Sequence, residues 1–164
     1  MGLSTAGSIR ISNALGRNNI PQMRNIGLST LAVGLGYGLV TAILFIVLHN
    51  YLPLIFNQNV DVVSLAAHLL LFAAVFQISD ATQAIGIGLL RGMKDVTIPT
   101  LSVIIAYWLI GLPLGYYLGV KFDMKSTGMW IGLLSGLTVS SILLNIRFHT
   151  LTKKMLAEEN HSNT

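Results

Sequence analysis

The one carboxylate set deep in an apolar stretch of this sequence is Asp80, within AAVFQISDATQAIGIGLL at residues 73–90. An ionised carboxylate at mid-bilayer costs at least ~2.5–3.5 kcal/mol, so it needs a cation, a proton, a hydrogen-bonding shell or water beside it. At 100° per residue, Phe76, Gln77, Gln83 and Ala84 fall within about 60° of Asp80 on a helix, while Leu71, Val75, Ile78, Ile85 and Leu89 cluster opposite. One face is polar and small, the other suited to lipid. Gln77 and Gln83 could hold the carboxylate by hydrogen bonds or help coordinate an ion. Two readings follow. Asp80 is a protonatable or cation-binding group, and such a group suits coupling an ion gradient to the movement of another molecule. Alternatively it is protonated and only bridges helices, a task membrane proteins usually give to neutral Asn, Gln or Ser.

Two further features have chemical potential. Tyr107 and Trp108 are adjacent at mid-depth in another apolar run, so they point in different directions and one of them could face a cavity. An aromatic ring there suits flat or cationic organic ligands, with ordinary packing as the alternative. Pro113 removes a backbone hydrogen bond inside the same run, marking a structural kink, a hinge or a cavity wall. The absence of cysteine excludes disulfides, Cys-ligated zinc and thiol catalysis. No apolar run holds cysteine or a two-carboxylate set, so neither an enzyme nor a resident cofactor is expected.

The elements that position these residues are membrane spans. Hydrophobic residues make up 53% of the chain and charged residues 10%, far less charge than a soluble domain of this size carries. The apolar residues come in runs at 26–48, 64–90, 98–120 and 128–146, each close to the ~20 residues that cross a hydrocarbon core as a helix. β-Barrel strands would be shorter and would alternate polar with apolar. The fold expected is all-α, a polytopic helix bundle of four spans preceded by the partial helix MGLSTAGSIRISNAL. That opening has no secretory-signal pattern and reads as the inside of a longer protein.

Arg17, Arg24, Arg91, Lys94, Arg147, Lys153 and Lys154, seven of the ten Lys and Arg residues, fall in segments that share one side, whereas Lys121 and Lys125 fall on the other. The positive-inside rule puts the first side, with the tail 148–164, in the cytoplasm. The net charge of +4 is thereby explained without a nucleic-acid partner. Tyr51, Phe56, Tyr116, Tyr117 and Trp130 then lie near the outer interface. Glycines four apart (Gly34 and Gly38, Gly88 and Gly92, Gly111, Gly115 and Gly119, Gly128, Gly132 and Gly136) predict close helix packing.

Several segments together resemble the multidrug and toxic compound extrusion (MATE) transporters: STAGSIRISNALG, VFQISDATQAIGIGLLRGMKDVTIP, YWLIGLPLGYYLG and TGMWIGLLSGL, in this order. The resemblance implies a lobe fragment over 1–147, from the end of helix 8 through helix 12 of a twelve-helix exporter. It implies alternating access driven by Na+ or H+ and a bacterial inner-membrane location. It also implies a drug-like or organic-cation substrate, with the lipid bilayer and an N-terminal lobe as partners. Asp80 matches the acidic residue of helix 10 implicated in cation coupling. Phe76 stands where some members carry a tyrosine, and the helix 7 glutamate that pairs with the aspartate in sodium-binding members lies outside this stretch. On that view the chain is inactive alone. The alternatives are a small non-catalytic membrane subunit and a lipid-linked sugar flippase relative, the latter disfavoured by spans without Lys or Arg.

Overall fold

The computed structural model describes residues 2–56 and 59–162. Its helix boundaries follow from capping chemistry. Helix α1 (Gly2–Gly16) closes through Asn18, in the left-handed region at φ 51°: its N–H donates to the Leu15 carbonyl at 3.0 Å and the Asn19 N–H to that of Ala14 at 3.1 Å. Asn19 then caps α2 (Ile20–Leu48), its side chain accepting from the Gln22 N–H at 3.0 Å, and Pro21 occupies the first turn, where a missing N–H is harmless. A single turn, α3 (Leu52–Phe56), leads towards α4 (Val60–Gly92), which carries Asp61 in its first turn and Arg91 in its last, both favourable to the helix dipole. Lys94 at φ 63° closes α4 by the same paired pattern, Lys94 N–H to Arg91 and Asp95 N–H to Leu90, each at 3.0 Å.

Helix α5 (Thr97–Lys121) is α-helical at Thr97–Ile105 and Leu112–Tyr116 but widens to π-helical turns at Ala106–Gly111 and Tyr117–Lys121. The first wide turn sits just before Pro113. The Leu112 N–H reaches back five residues to the Tyr107 carbonyl, and the extra residue makes room for a ring that would otherwise strike the preceding turn. Helix α6 (Lys125–Ser162) is the last described element.

Helices α2, α4, α5 and α6 are long and apolar enough to cross a bilayer, and the four expected runs lie inside them. No break marks position 147. α6 runs on, and Phe148 and Thr152 are fully buried. The core is concentrated at this end, where Ile11, Met23, Leu89, Leu90, Leu144 and Phe148 have no exposure. Elsewhere large apolar side chains such as Val40, Ile43, Val47 and Leu109 face outward, as a lipid solvent requires.

Glycine allows the closest crossings. On α5 and α6, Gly111, Gly115 and Gly119 run antiparallel to Gly136, Gly132 and Gly128, backbone against backbone. Gly88 and Gly92 of α4 accept the backbone of α1 at Ser4 and Ser8, where the Ser4 Oγ donates to the Ala84 carbonyl at 2.6 Å and the Ser12 Oγ to that of Gly92 at 3.0 Å. Gly34 of α2 receives the Ile85 side chain and Gly27 the Phe148 ring. Ile85 and Leu89 are therefore buried against α2 and α1 instead of facing lipid, whereas Leu71 and Val75 do face outward.

Candidate functional site

Asp80 lies twelve residues before the end of α4, about 18 Å along the helix, and its side chain is exposed. It faces a cavity of about 600 Å³ between α1, α2 and α4, whose wall includes Leu3, Ser4, Gly34, Tyr37 and Gln77. Among the described residues the carboxylate makes no hydrogen bond or ion pair. The links from this stretch of α4 to its neighbours are made by others. Gln83, itself buried, donates from Nε2 to the Oγ of Ser140 at 2.9 Å. Ser79 and Thr138 hydroxyls lie 3.1 Å apart, and since Thr138 already donates to the Leu134 carbonyl at 2.8 Å, Ser79 is the donor between them.

The sign of the helical angle explains this division. Gln77 and Ala84 lie on one flank of Asp80, about 60° and 40° away, and both line the cavity. Phe76, Gln83 and Ser79 lie on the other flank, about 40°, 60° and 100° away, and turn towards α6. The Phe76 ring meets Trp130 edge-on at 6.0 Å, so it packs between helices and does not line the cavity. Gln83 likewise braces α4 against α6.

Tyr107, on the wide turn of α5, lies beside the Gln83 side chain. The structure thus brings Asp80 and Gln77 together on the cavity wall, and Gln83 and Tyr107 together on the flank towards α6. Trp108 points away and is 67% exposed, so the tyrosine is the member of that pair turned inward. Pro113 is outside the cavity wall and follows the wide turn that carries Tyr107. Ser79, Thr138 and Ser140 were missed from sequence, because hydroxyls scattered in apolar helices usually satisfy themselves on their own backbone, as Thr82 does on the Ile78 carbonyl at 2.8 Å. For a hard cation the side-chain oxygens on the cavity wall are the Asp80 carboxylate, the amide of Gln77 and the hydroxyls of Ser4 and Tyr37; Phe76 offers none. No cluster of three His, Asp or Glu residues occurs among the described residues.

At the core-rich end, Arg147 donates from Nε to Asp95 Oδ2 at 2.9 Å, joining α6 to the turn between α4 and α5. This pair gathers the basic ends of α4 and α6 on one side of the bundle. Phe45, Phe56 and Trp130 share an apolar cavity on the other.

The MatE family model matches residues 1–117. The chain belongs to the MATE family. It is 43% identical over 151 residues to "Multidrug resistance protein MdtK" of Proteus mirabilis, covering 90% of this chain and 33% of that protein. It is 39% identical over 157 residues to "Probable multidrug resistance protein NorM" of Xylella fastidiosa, covering 96% and 34%. The fold of the eukaryotic MATE transporter AtDTX14 superimposes with a TM-score of 0.84 at 25% identity, over 93% of this chain and 35% of that one. An inward-facing multidrug resistance MATE transporter of the MOP superfamily gives a TM-score of 0.85 at 14% identity, over 96% and 36%, which bears on the fold alone. The chain therefore spans about a third of the length of the curated relatives it matches. With four apolar spanning helices and this MATE membership, it is an integral membrane protein.

Proposed function

We propose that this chain is the C-terminal part of a cation-coupled antiporter that exports drugs or other organic compounds by alternating access, with Asp80 as the coupling carboxylate. The observation that carries this reading is the Asp80 side chain standing unpaired in an open cavity of about 600 Å³ within a MATE chain. The naming of the relatives as multidrug resistance proteins supports the substrate class, drug-like molecules or organic cations, and favours transport over catalysis.

The physical logic is a coupling between charge and closure. An ionised, unpaired carboxylate favours a cavity wetted by water, and enclosing it costs ~2.5–3.5 kcal/mol or more. Neutralising it with H+ or Na+ removes that cost, shifting an open–closed equilibrium by about 70- to 400-fold. Tyr107 gives α5 a means of sensing the change, and the wide turn before Pro113 is a place for α5 to bend. A proton needs only the carboxylate. Sodium would draw on the oxygens of Asp80 and Gln77 and the hydroxyls of Ser4 and Tyr37 on the same wall, completed by water or by the opposing lobe. The concentration of Arg24, Arg91, Lys94, Arg147 and Lys153 at one end supports an inner-membrane orientation with that end, and the C-terminus, in the cytoplasm.

The test uses two forms. The chain alone, expressed in bacteria lacking their own exporters, is expected to give no gradient-dependent drug efflux above empty membranes, because it lacks an opposing lobe. The same chain replacing its counterpart in the Proteus mirabilis relative is expected to restore efflux, and Asp80→Asn in that chimera to abolish it with insertion intact. Unchanged efflux by the variant would remove the coupling role.

A further inference from the structure

At the basic end of the bundle, a second cavity of about 590 Å³ lies between α2 and α6. Its wall has an apolar part, Ile142 and Ile146, and a polar part made by Arg24, His149 and Lys153. The positions 142, 146, 149 and 153 follow helical spacing, so they form one ridge along α6, about 16 Å from Ile142 to Lys153. Ile142 and Ile146 are more than half exposed, as residues against acyl chains are. Arg24, one turn into the antiparallel α2, adds its charge at the same level as the polar end of the ridge. Arg147 on the same helix is neutralised by Asp95, but among the described residues neither Arg24 nor Lys153 forms an ion pair. Asn145, on the same wall, is satisfied within its own helix, its amide donating to the Ser141 carbonyl at 2.8 Å.

We propose that this groove is a binding site for an anionic phospholipid, with its phosphate between Arg24 and Lys153 and an acyl chain along Ile142 and Ile146. Charge complementarity selects the occupant. Two unneutralised cations at an interfacial depth favour an anionic headgroup, and the apolar strip directly below them favours a lipid over a free anion. An apolar helix would leave both charges unpaired. The site is separate from the Asp80 cavity, and its occupancy is read without any transport measurement.

The test titrates the full chain, purified in a neutral detergent, with short-chain fluorescent phosphatidylglycerol or phosphatidylcholine. Phosphatidylglycerol is expected to bind saturably and phosphatidylcholine not. Each removed charge should weaken binding about five-fold, so Arg24→Gln with Lys153→Gln should weaken it about 25-fold. Lys121→Gln with Lys125→Gln, at the opposite end, should leave it unchanged, as should the charge-preserving pair Arg24→Lys with Lys153→Arg. Should the glutamine pair lose its helical circular dichroism, Ile142→Ser with Ile146→Ser, at exposed positions, tests the same groove and should also weaken binding. Equal losses at both ends would make the effect one of general charge and overturn the site. Displacement of the lipid by millimolar inorganic phosphate would reassign it to a free anion. Retention of binding by the serine pair, or no preference for phosphatidylglycerol in the unsubstituted chain, would refute the proposal outright.

Discussion

The glycine seam between α5 and α6 makes an asymmetric prediction about two partners in one contact. A methyl group added at Gly115 would meet nothing closer than 3.6 Å, which is ordinary van der Waals distance. Added at Gly132, directly across the seam, it would lie 2.6 Å from the Gly111 carbonyl oxygen and closer still to the backbone of Gly115. Backbone cannot rotate out of the way as a side chain can, so the helices must part. Relieving the Gly111 contact alone to 3.4 Å requires about 0.8 Å of separation, and the closer contacts with Gly115 require more. A gap of that size forfeits roughly a quarter to a half of the dispersion attraction across the seam. With the usual cost of overpacking, Gly132→Ala should destabilise the chain by about 1–3 kcal/mol and Gly115→Ala by well under 1. The assay is thermal unfolding of the purified chain in detergent, followed by far-ultraviolet circular dichroism. A Tm lower by roughly 2–12 °C is expected for Gly132→Ala, and a change near zero for Gly115→Ala. Equal effects of the two substitutions would refute the close-packed register of α5 on α6.

Other interactions give predictions of the same kind. Ser140→Ala should cost about 1–3 kcal/mol by leaving the buried Gln83 amide unpaired, and adding Gln83→Leu should recover part of that loss in the same unfolding assay. A double-mutant cycle on Asp95→Ala and Arg147→Ala should give a coupling of about 1–2 kcal/mol, since this charge-assisted bond is partly shielded from solvent. In the chimera with the Proteus mirabilis relative, Tyr107→Phe should reduce gradient-driven efflux several-fold while Trp108→Ala leaves it close to unchanged. The tyrosine adjoins Gln83 on the helix that carries Asp80, and the tryptophan is turned outward.

Much of the architecture is legible in the sequence because membrane solvent imposes a coarse rule. Long apolar runs become spans, and glycines four apart mark crossings, as Gly111, Gly115 and Gly119 against Gly136, Gly132 and Gly128 show. Asp80 stands out for the same reason, since a charge in such a run is costly. What periodicity does not give is which neighbour covers which flank. Gln77 and Gln83 are equally near Asp80 on the wheel, yet one lines the cavity under α2 and the other is bonded to α6. Ile85 and Leu89 read as lipid-facing because nothing in α4 itself announces Gly34 of α2 or Gly7 of α1, on which they pack. The end at 147 is where the resemblance stops, and nothing in it announces that the helix continues with Phe148 and Thr152 buried. The wide turn at Ala106–Gly111 has only Pro113 as its signal, and a proline predicts a break without its form.

The central claim concerns the charge on Asp80, and the most direct measurement imposes gradients on proteoliposomes containing the chimera and follows a fluorescent organic cation. With Asp80 present, inward-directed gradients of H+ or of Na+, applied separately, should show one of them accelerating export. With Asp80→Asn, substrate binding should persist and the gradient should have no effect, because the amide is neutral under all conditions. Export by the asparagine variant that still followed the gradient would contradict the account.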